Sequence, residues 1–258
     1  MKAHDLLTAH QRDVGARVVA EESARREHVV VYLSGAHAYG FPSPDSDLDL
    51  KAIHAAPTRE IVGLREHRPT FDRAEILDGV EIDYTSNEIG HALRGVLAGN
   101  GNFIERVLGA TPLAASPLLE ALRPLVTASL SRRVHRHYRG FATSQLAEAE
   151  RKPTAKRVLY VLRTTLTGAH LLATAELVTD VNELLDARGL GAARQLVERK
   201  RAGEQTPLAG DELARWRGEL ARAFEALDAA ERTSPLPVDP GGADDLEAWL
   251  VDVRRGRL

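Results

Sequence analysis

The stretch from residue 28 to residue 54 restricts the fold of this 258-residue chain more than any other segment. Residues 28–33 are a β-branched and aromatic run, which is typical of a buried strand. A loop rich in Gly, Pro, Ser and Asp follows over residues 34–46. Residues 47–54 then alternate charged and apolar side chains, as in a half-buried strand. The N-terminal part of the chain is therefore predicted to contain a sheet.

Further elements flank these two strands. Loose helical spacing of apolar residues predicts a helix over residues 5–26, before the first strand. Residues 73–77 and 80–85 flank Asp78-Gly79, which is a strong hairpin signal. Ser86 is expected to cap a helix that follows the hairpin.

The composition changes at residues 110–117, which carry two prolines and look like a domain boundary. Beyond them, Ala, Leu, Arg and Glu recur with helical periodicity. The predicted helices cover roughly residues 125–150, 156–177, 181–188 and 211–232. We therefore expect an α+β fold, with a mixed sheet flanked by helices over residues 1–110 and an all-helical domain over residues 117–258.

Charge and composition exclude several classes of protein. The 34 basic and 37 acidic residues give a formal net charge of −3, whereas general nucleic-acid-binding proteins are usually strongly basic. The chain has no cysteine, and therefore no disulfide and no thiolate metal site. Its first residues do not resemble a secretory signal, and no stretch of about 18 apolar residues is present to span a bilayer. A cytoplasmic protein without membrane contact is expected.

The loop between the two strands carries the residues that point to chemistry. Gly35 follows a buried strand, and there the backbone can approach a ligand closely. Asp47 and Asp49 are two residues apart on a strand, so both face the same side. Two such carboxylates repel each other unless a cation lies between them, and Mg²⁺ or Mn²⁺ suits these ligands. A solvated strand edge is the favoured interpretation of a bare Asp-x-Asp, but the whole assembly favours a site.

Residues 35–49 read Gly-Ala-His-Ala-Tyr-Gly-Phe-Pro-Ser-Pro-Asp-Ser-Asp-Leu-Asp. They resemble the signature of the DNA polymerase β-like nucleotidyltransferase superfamily: Gly-Ser, a spacer, Gly, then Asp-x-Asp at the start of a strand. They are most similar to the RNA-ligase-associated (RlaP/YcgL-type) predicted nucleotidyltransferases. Weaker similarity extends through residues 100–105 and into the helical part around Tyr160 and Arg163.

The resemblance implies roles for residues of the signature. Residues 1–110 would be the nucleotidyltransferase catalytic domain, in which Asp47 and Asp49 hold the metal ions that a nucleoside triphosphate carries. Gly35 would be the turn residue of the phosphate loop. The next position, where the family has serine, is Ala36, which keeps the backbone amide but lacks the hydroxyl. Ser34 or Ser46 could replace that hydroxyl in binding the nucleotide.

The resemblance also implies a third carboxylate on a later strand, on the acceptor side of the second metal. Glu81 and Asp83 share one face of the predicted strand 80–85. Asp83 is preferred because it lies just before the helix expected at Ser86. An exposed, salt-bridged carboxylate is the alternative for either residue.

A stripe on one helix could contact the nucleotide. Lys156, Tyr160 and Arg163 lie at positions i, i+4 and i+7, on one helical face. Two cations around a phenol ring suit a triphosphate and a stacked base. The alternative is an ordinary solvated face, and the family resemblance favours the nucleotide.

The function expected from these residues is metal-dependent nucleotidyl transfer. The chain would move a nucleoside monophosphate from a nucleoside triphosphate such as ATP to an acceptor hydroxyl and release pyrophosphate. An RNA end is the preferred acceptor, because the most similar branch is associated with RNA ligases. A non-catalytic nucleotide sensor is a second hypothesis, which Ala36 favours. A small-molecule, aminoglycoside-type transferase is a third, and the basic residues 132–139 fit it poorly because its substrate is a polycation.

Overall fold

A computed structural model describes residues 3–203, 207–208 and 210–257 of the chain. The predicted domain limits at residues 1 and 258 lie outside this described part. The chain divides into two compact units, and each is built from separate stretches of sequence. The sheet unit comprises Met1–Gly35, Asp47–Leu130 and Pro240–Leu258, and the helical unit comprises Ala36–Ser46 and Ser131–Asp239.

The sheet unit is built on five strands in the order β3-β4-β2-β1-β5. The strands are β1 (Glu27–Leu33), β2 (Leu48–Ala55), β3 (Thr70–Leu77), β4 (Val80–Glu88) and β5 (Pro112–Ala115). The β2–β4 pair is parallel, whereas β1–β2, β1–β5 and β3–β4 are antiparallel. This mixed sheet and the helices around it confirm the predicted α+β class.

Helices fall in both units of the chain. The helices are α1 (Ala9–Ser23), α2 (Gly35–Ala38), α3 (Thr58–Val62), α4 (Ile89–Leu97), α5 (Gly101–Leu108), α6 (Pro117–Ala128), α7 (Val134–Arg151), α8 (Ala155–Thr174), α9 (Val181–Ala187), α10 (Arg194–Arg201), α11 (Gly210–Thr233) and α12 (Ala243–Arg255). Short 3₁₀ turns cover Ala3–Leu6 and Gly191–Ala193. Across the described part of the chain, no helix is long and apolar enough to cross a membrane.

The core of the sheet unit lies between α1 and one face of the sheet. Val14 and Val18 of α1 belong to the same buried cluster as Leu48 and Leu50 of β2. Because strand side chains alternate, the residues between these leucines face the opposite side of the sheet. Burial of one face of the sheet thus sets which side chains of β2 face the core.

A capping box at Thr8 fixes the start of α1, since its side chain accepts from the amide of residue 11.

The hairpin between β3 and β4 forms at the expected position, but the helix after it begins later. Asp78 and Gly79 both adopt positive φ, as a tight hairpin turn requires. The prediction that Ser86 caps a helix is wrong, because Ser86 lies within β4 and pairs with β2. Parallel pairing continues to Glu88, whose carboxylate accepts hydrogen bonds from the amides of Gly90 and residue 91 and caps α4.

The segment at residues 110–117 contains β5, which pairs with the edge of β1. The predicted helix over residues 125–150 is divided into α6 and α7 by a break at residues 129–133. The last helix, α12, belongs to the sheet unit, where Arg254 contacts Glu88 at 3.3 Å. The division at residues 110 and 117 stays a prediction about independent folding.

Two histidines lie side by side where β1 pairs with β2. His54 is 2% exposed, and its Nδ1 lies 2.8 Å from the Ser86 hydroxyl. Burial, and then the nearby Arg26 guanidinium, lower the pKa of His54 from 6.5 to about 3. Burial and Arg26 likewise lower the pKa of His28 to about 4. Both rings are therefore neutral in the folded protein near neutral pH.

We expect the stability of the protein to fall as the solution becomes acidic. The unfolded chain binds a proton at His54 near pH 6.5, whereas the folded chain does so only near pH 3. Unfolding therefore takes up a proton between these values, and His54 alone lowers the free energy of unfolding by about 2 kcal/mol between about pH 7 and about pH 5. Urea denaturation at several pH values measures this. His54→Asn should flatten the profile by that amount, and an unchanged slope would contradict the assignment.

Candidate active site

Parallel pairing of β2 with β4 brings two of the predicted carboxylates together. Asp49 of β2 lies directly opposite Asp83 of β4 in the register of the sheet. Asp47 directly precedes β2 and is half-buried. Because side chains alternate along a strand, Asp47 lies on the same face of the sheet as Asp49. All three residues belong to the sheet unit. The face of the sheet opposite α1 therefore carries the acidic group that the sequence predicted.

A lysine neutralises this acidic group. The Lys51 ammonium lies 2.8 Å from Asp83 Oδ2 and 3.9 Å from Asp49 Oδ1. The side chains of Lys51 and Asp49 are only 20% and 22% exposed, whereas that of Asp83 is 51% exposed. Lys51 was not among the predicted site residues, although its position two residues after Asp49 puts it on the same face of the strand. The ammonium offsets the repulsion between the two carboxylates.

Gly35 leaves the space that the Asp49 carboxylate occupies. Its φ is +63°, in the left-handed region, and a Cβ built there would lie 1.8 Å from Asp49 Oδ2. The amide of Ser34 donates to the Asp49 carbonyl at 2.9 Å, which joins the end of β1 to β2. Any side chain at position 35 would therefore displace the carboxylate. The glycine of the signature is required by this contact as well as by its backbone conformation.

The donor chemistry of the acidic group fits a hard divalent cation, because carboxylate oxygens are the ligands that Mg²⁺ and Mn²⁺ prefer. Among residues 3–203, 207–208 and 210–257, no three His, Cys, Asp or Glu side chains are arranged so that they could hold a metal ion. The Asp83 carboxylate is instead directed at Lys51. Three-ligand coordination by Asp47, Asp49 and Asp83 would therefore require the Lys51 ion pair to open.

The register separates the two candidates for the third carboxylate. Asp83 is paired with Asp49 of β2, whereas Glu81 is exposed and precedes Ile82, the first β4 residue that pairs with β2. A helix starting near Ser86 gives no support to Asp83, because α4 begins at Ile89. The choice of Asp83 as the third carboxylate is instead supported by its position opposite Asp49 in the β2–β4 pair.

The remainder of the signature, Ala36–Ser46, belongs to the helical unit. Ala36 is buried, and its carbonyl accepts from the amide of Phe41. The Ser46 hydroxyl accepts from the amide of Ser43 at 2.9 Å. Lys200 of α10 is fully buried and donates to the Ser43 hydroxyl at 2.6 Å and to the Ser46 hydroxyl at 3.1 Å. Nothing in the sequence pointed to Lys200, which lies more than 150 residues away along the chain.

The second glycine of the signature also has a packing role. Gly40 has φ of +85°, and a Cβ there would lie 2.1 Å from Asp180 Oδ1. The Asn182 side chain donates to the Gly40 carbonyl at 2.9 Å, and the amide of Val181 donates to the Tyr39 carbonyl at 3.0 Å. The start of α9 thus contacts the signature segment at Tyr39 and Gly40, where a Cβ on residue 40 would overlap Asp180.

The predicted stripe on α8 has two environments within the helical unit. Lys156 and Tyr160 line a cavity of 380 Å³, and the Lys156 ammonium lies 5.9 Å from the Tyr160 ring centroid. Arg163 is buried, with its guanidinium 3.7 Å from the centroid of the Tyr39 ring. The Tyr160 ring also contacts Phe41 edge-on at 5.5 Å. Lys156 and Tyr160 can face a ligand, while Arg163 packs against the signature segment.

The chain has an α+β fold, and its sequence places it among nucleotidyltransferase-like proteins. The chain belongs to RlaP, the RNA repair pathway DNA polymerase beta family, whose sequence profile matches residues 12–252. The predicted resemblance is thereby confirmed.

Two known proteins are similar to this chain over much of its length. An uncharacterized protein of Methanocaldococcus jannaschii is 30% identical over 156 residues, which are 59% of this chain and 63% of that protein. The match thus spans less than two thirds of that relative. A crystal structure of a nucleotidyltransferase-like protein from Exiguobacterium sibiricum aligns with a TM-score of 0.35 at 12% identity, over 95% of this chain and 80% of that one.

Gly35→Ala should damage the acidic group, and Gly79→Ala provides a matched control. Both glycines have positive φ, so alanine costs about 1 kcal/mol of stability at either position. A Cβ at residue 79 meets nothing within 4 Å, whereas at residue 35 it overlaps Asp49. Urea denaturation should therefore show a larger loss of stability for Gly35→Ala, and only Gly35→Ala should lose Mn²⁺ binding in an electron paramagnetic resonance titration. Equal Mn²⁺ affinity in the two variants would refute the proposed contact.

Replacing Lys51 by Met should strengthen binding of a divalent cation in the absence of nucleotide. The ammonium that contacts Asp83 and Asp49 competes with the ion for the same carboxylates. Its removal should tighten Mn²⁺ binding by about threefold to tenfold, since the pair is partly exposed. The same titration measures the effect, with Lys152→Met as the control. Weaker Mn²⁺ binding by Lys51→Met would show that the lysine supports the ion rather than competes with it.

Proposed function

We propose that this protein is a metal-dependent nucleotidyltransferase that transfers a nucleoside monophosphate from a nucleoside triphosphate, ATP among them, to an acceptor hydroxyl. The observation that carries the proposal is the register that sets Asp49 opposite Asp83, with Gly35 leaving room for the Asp49 carboxylate. Carboxylates beside a glycine turn suit a divalent cation and the phosphates that it carries. Membership of the RNA repair pathway DNA polymerase beta family supports the same reaction class.

The three aspartates are assigned to different substrates of the reaction. Asp47 and Asp49 face the triphosphate, and Asp83 faces the acceptor. Mg²⁺ or Mn²⁺ held by these carboxylates would supply charge neutralisation and would favour the ionised form of the acceptor hydroxyl. Lys51 is paired with Asp83; it would release that carboxylate to a metal ion and would keep a positive charge beside the phosphates.

The transfer is a displacement at the α-phosphorus. The acceptor oxygen forms a bond to phosphorus while the bond from phosphorus to the bridging oxygen breaks. Pyrophosphate leaves with that electron pair, and the proton of the hydroxyl passes to the Asp83 carboxylate. Positioning and charge neutralisation account for most of the acceleration in reactions of this kind.

The nucleotide contacts are proposed on the phosphate loop and on α8. Gly35 and Ala36 offer backbone amides to phosphate oxygens, and Lys156 and Tyr160 offer a cation and a ring to the phosphates and the base. The cavity of 380 Å³ that these two residues line falls within the range of small-molecule sites. The hydroxyl of Ser34 or of Ser46 is proposed to replace the missing serine; Ser46 also contacts Ser43 and Lys200.

The preferred acceptor is an RNA end, and the description of the family as part of an RNA repair pathway supports it. The overall charge of −3 means that RNA would be held by local groups rather than by a general basic surface.

Arg163 is proposed to act on the nucleotide through Tyr39, because its guanidinium is buried against that ring.

Transfer of label from α-³²P nucleoside triphosphates tests the proposal. The protein is incubated with each triphosphate, Mg²⁺ or Mn²⁺, and RNAs with defined 5′ and 3′ ends, and separately with cell extract. Asp47→Asn, Asp49→Asn and Asp83→Asn should each reduce transfer by at least about a hundredfold, as expected when a metal ligand is lost. Glu81→Gln is the matched control, since Glu81 shares the strand face with Asp83 but lies opposite Ile76.

The outcome of this assay separates enzyme from sensor. Label that persists in Asp47→Asn or Asp49→Asn would refute the role of those residues. Calorimetry that detects tight, Mg²⁺-dependent ATP binding without transfer to any acceptor would favour a nucleotide sensor, a role that Ala36 and the Lys51 ion pair would suit. Equal losses in Glu81→Gln and Asp83→Asn would remove the basis for choosing Asp83.

A further inference from the structure

A second cleft of 710 Å³ lies in the sheet unit, at the C-terminal end of β2. Its lining includes Arg26, which directly precedes β1, and His54, Arg59, His67 and Phe71, which lie in β2, in β3 and in the segment between them. The nucleotidyltransferase site described above uses none of these residues. All of the lining belongs to the sheet unit, so the cleft is complete within that unit.

The cleft is separate from the acidic group. His54 follows Asp49 by five residues along β2, which corresponds to a distance of roughly 16 Å along a strand. An odd spacing also places the two side chains on opposite faces of the sheet. A ligand in this cleft therefore cannot be the triphosphate held at Asp47 and Asp49.

Two imidazole nitrogens at the cleft have no hydrogen-bond partner. Nε2 of His54 and Nε2 of His67 are both buried, and neither contacts a polar atom of the described residues. The other nitrogen of His54 is fixed by Ser86 at 2.8 Å, so the ring has a set orientation. A buried polar group without a partner destabilises the protein, and a ligand that supplies a partner would recover that free energy. Because burial lowers the pKa of His54 to about 3, the ring offers a neutral hydrogen bond at pH 7.

Planar groups surround these nitrogens. The Phe71 ring lies edge-on to His54, with centroids 5.5 Å apart. The guanidinium groups of Arg26 and Arg68 lie 4.4 Å and 5.3 Å from the centroid of the Phe71 ring. Aromatic rings and guanidinium planes are the surfaces on which proteins stack nucleobases.

Uncommitted positive charge lies at the same place. Arg59 lines the cleft, and Arg68 lines a cavity that adjoins it through His67 and Phe71. Neither arginine forms an ion pair with any residue in the described part of the chain, whereas Arg26 is paired with the buried Glu22. Guanidinium groups bind phosphate through two parallel hydrogen bonds. The cleft thus combines a stacking surface, two imidazole nitrogens that can form hydrogen bonds, and arginines that have no ion pair among the described residues.

We propose that this cleft is a second nucleotide site, which binds a nucleoside monophosphate unit without a divalent metal. The base stacks on the exposed guanidinium of Arg68, which itself lies over the Phe71 ring, and takes its hydrogen bonds from His54 and His67. The phosphate binds Arg59. The nucleotide is either free in solution or the terminal residue of an RNA, because both present the same base and phosphate. The assignment is independent of the proposed transfer reaction.

Calorimetric titration of the full chain in EDTA tests this site. The probes are AMP, adenosine, inorganic phosphate and a short RNA with a 5′-phosphate. AMP carries no pyrophosphate to release, and EDTA removes the ion on which the acidic group depends. We expect AMP to bind more tightly than adenosine or phosphate, and Arg59→Met to weaken AMP binding by about tenfold, as expected for loss of a charge-assisted hydrogen bond.

Three variants distinguish binding in this cleft from binding elsewhere on the protein. Arg222→Met removes an exposed guanidinium of α11 and should leave AMP binding unchanged. Asp49→Asn should also leave it unchanged while abolishing label transfer, so the two proposals fail independently. His54→Asn should weaken AMP binding, and in the wild type AMP should shift the His54 ring resonances in an NMR spectrum.

Three results would overturn the proposal. The first is the absence of binding by both AMP and RNA in EDTA at millimolar concentration, and the second is phosphate binding as tightly as AMP. Arg59→Met with unchanged AMP affinity would equally exclude the site. If RNA binds more tightly than AMP, the ligand is an RNA end; if AMP binds more tightly, it is a free nucleotide.

Discussion

The parallel pairing of β2 with β4 is the interaction on which the acidic group depends. Hydrogen bonds between backbones fix Asp49 opposite Asp83, and a slip of one residue would turn either carboxylate to the other face. That slip is opposed by burial of Leu48 and Leu50 against α1. Apolar packing on one face of the sheet thereby determines the position of charged groups on the other, where Lys51 balances them.

The signature segment serves two purposes in different parts of the structure. Gly35 and the aspartates after residue 46 shape the acidic group, whereas residues 36–46 are held within the helical unit by Lys200 and the start of α9. Gly40 fits this second role, since a side chain there would overlap Asp180. A motif recognised for its chemistry thus also contains residues whose type is set by packing.

Local sequence patterns predict the strands and the faces on which their side chains lie. They do not predict features that depend on contacts between residues far apart in the chain. Alternation places Asp47, Asp49 and Lys51 on one face, although the role of the lysine was missed. Ser86 has the residue type that is typical of a helix cap, but pairing with β2 extends the strand through it. Lys200 could not be found, because no periodicity links a helix near residue 200 with hydroxyls at 43 and 46.

The return of α12 to the sheet unit has a consequence for how the protein is made. Arg254 contacts the carboxylate of Glu88, which is itself buried, and Leu246, Leu250 and Val253 are buried along the same helix. Residues 47–130 therefore emerge from the ribosome well before the segment that covers this carboxylate. During synthesis, residues 131–239 of the helical unit are made before α12 is available to complete the sheet unit.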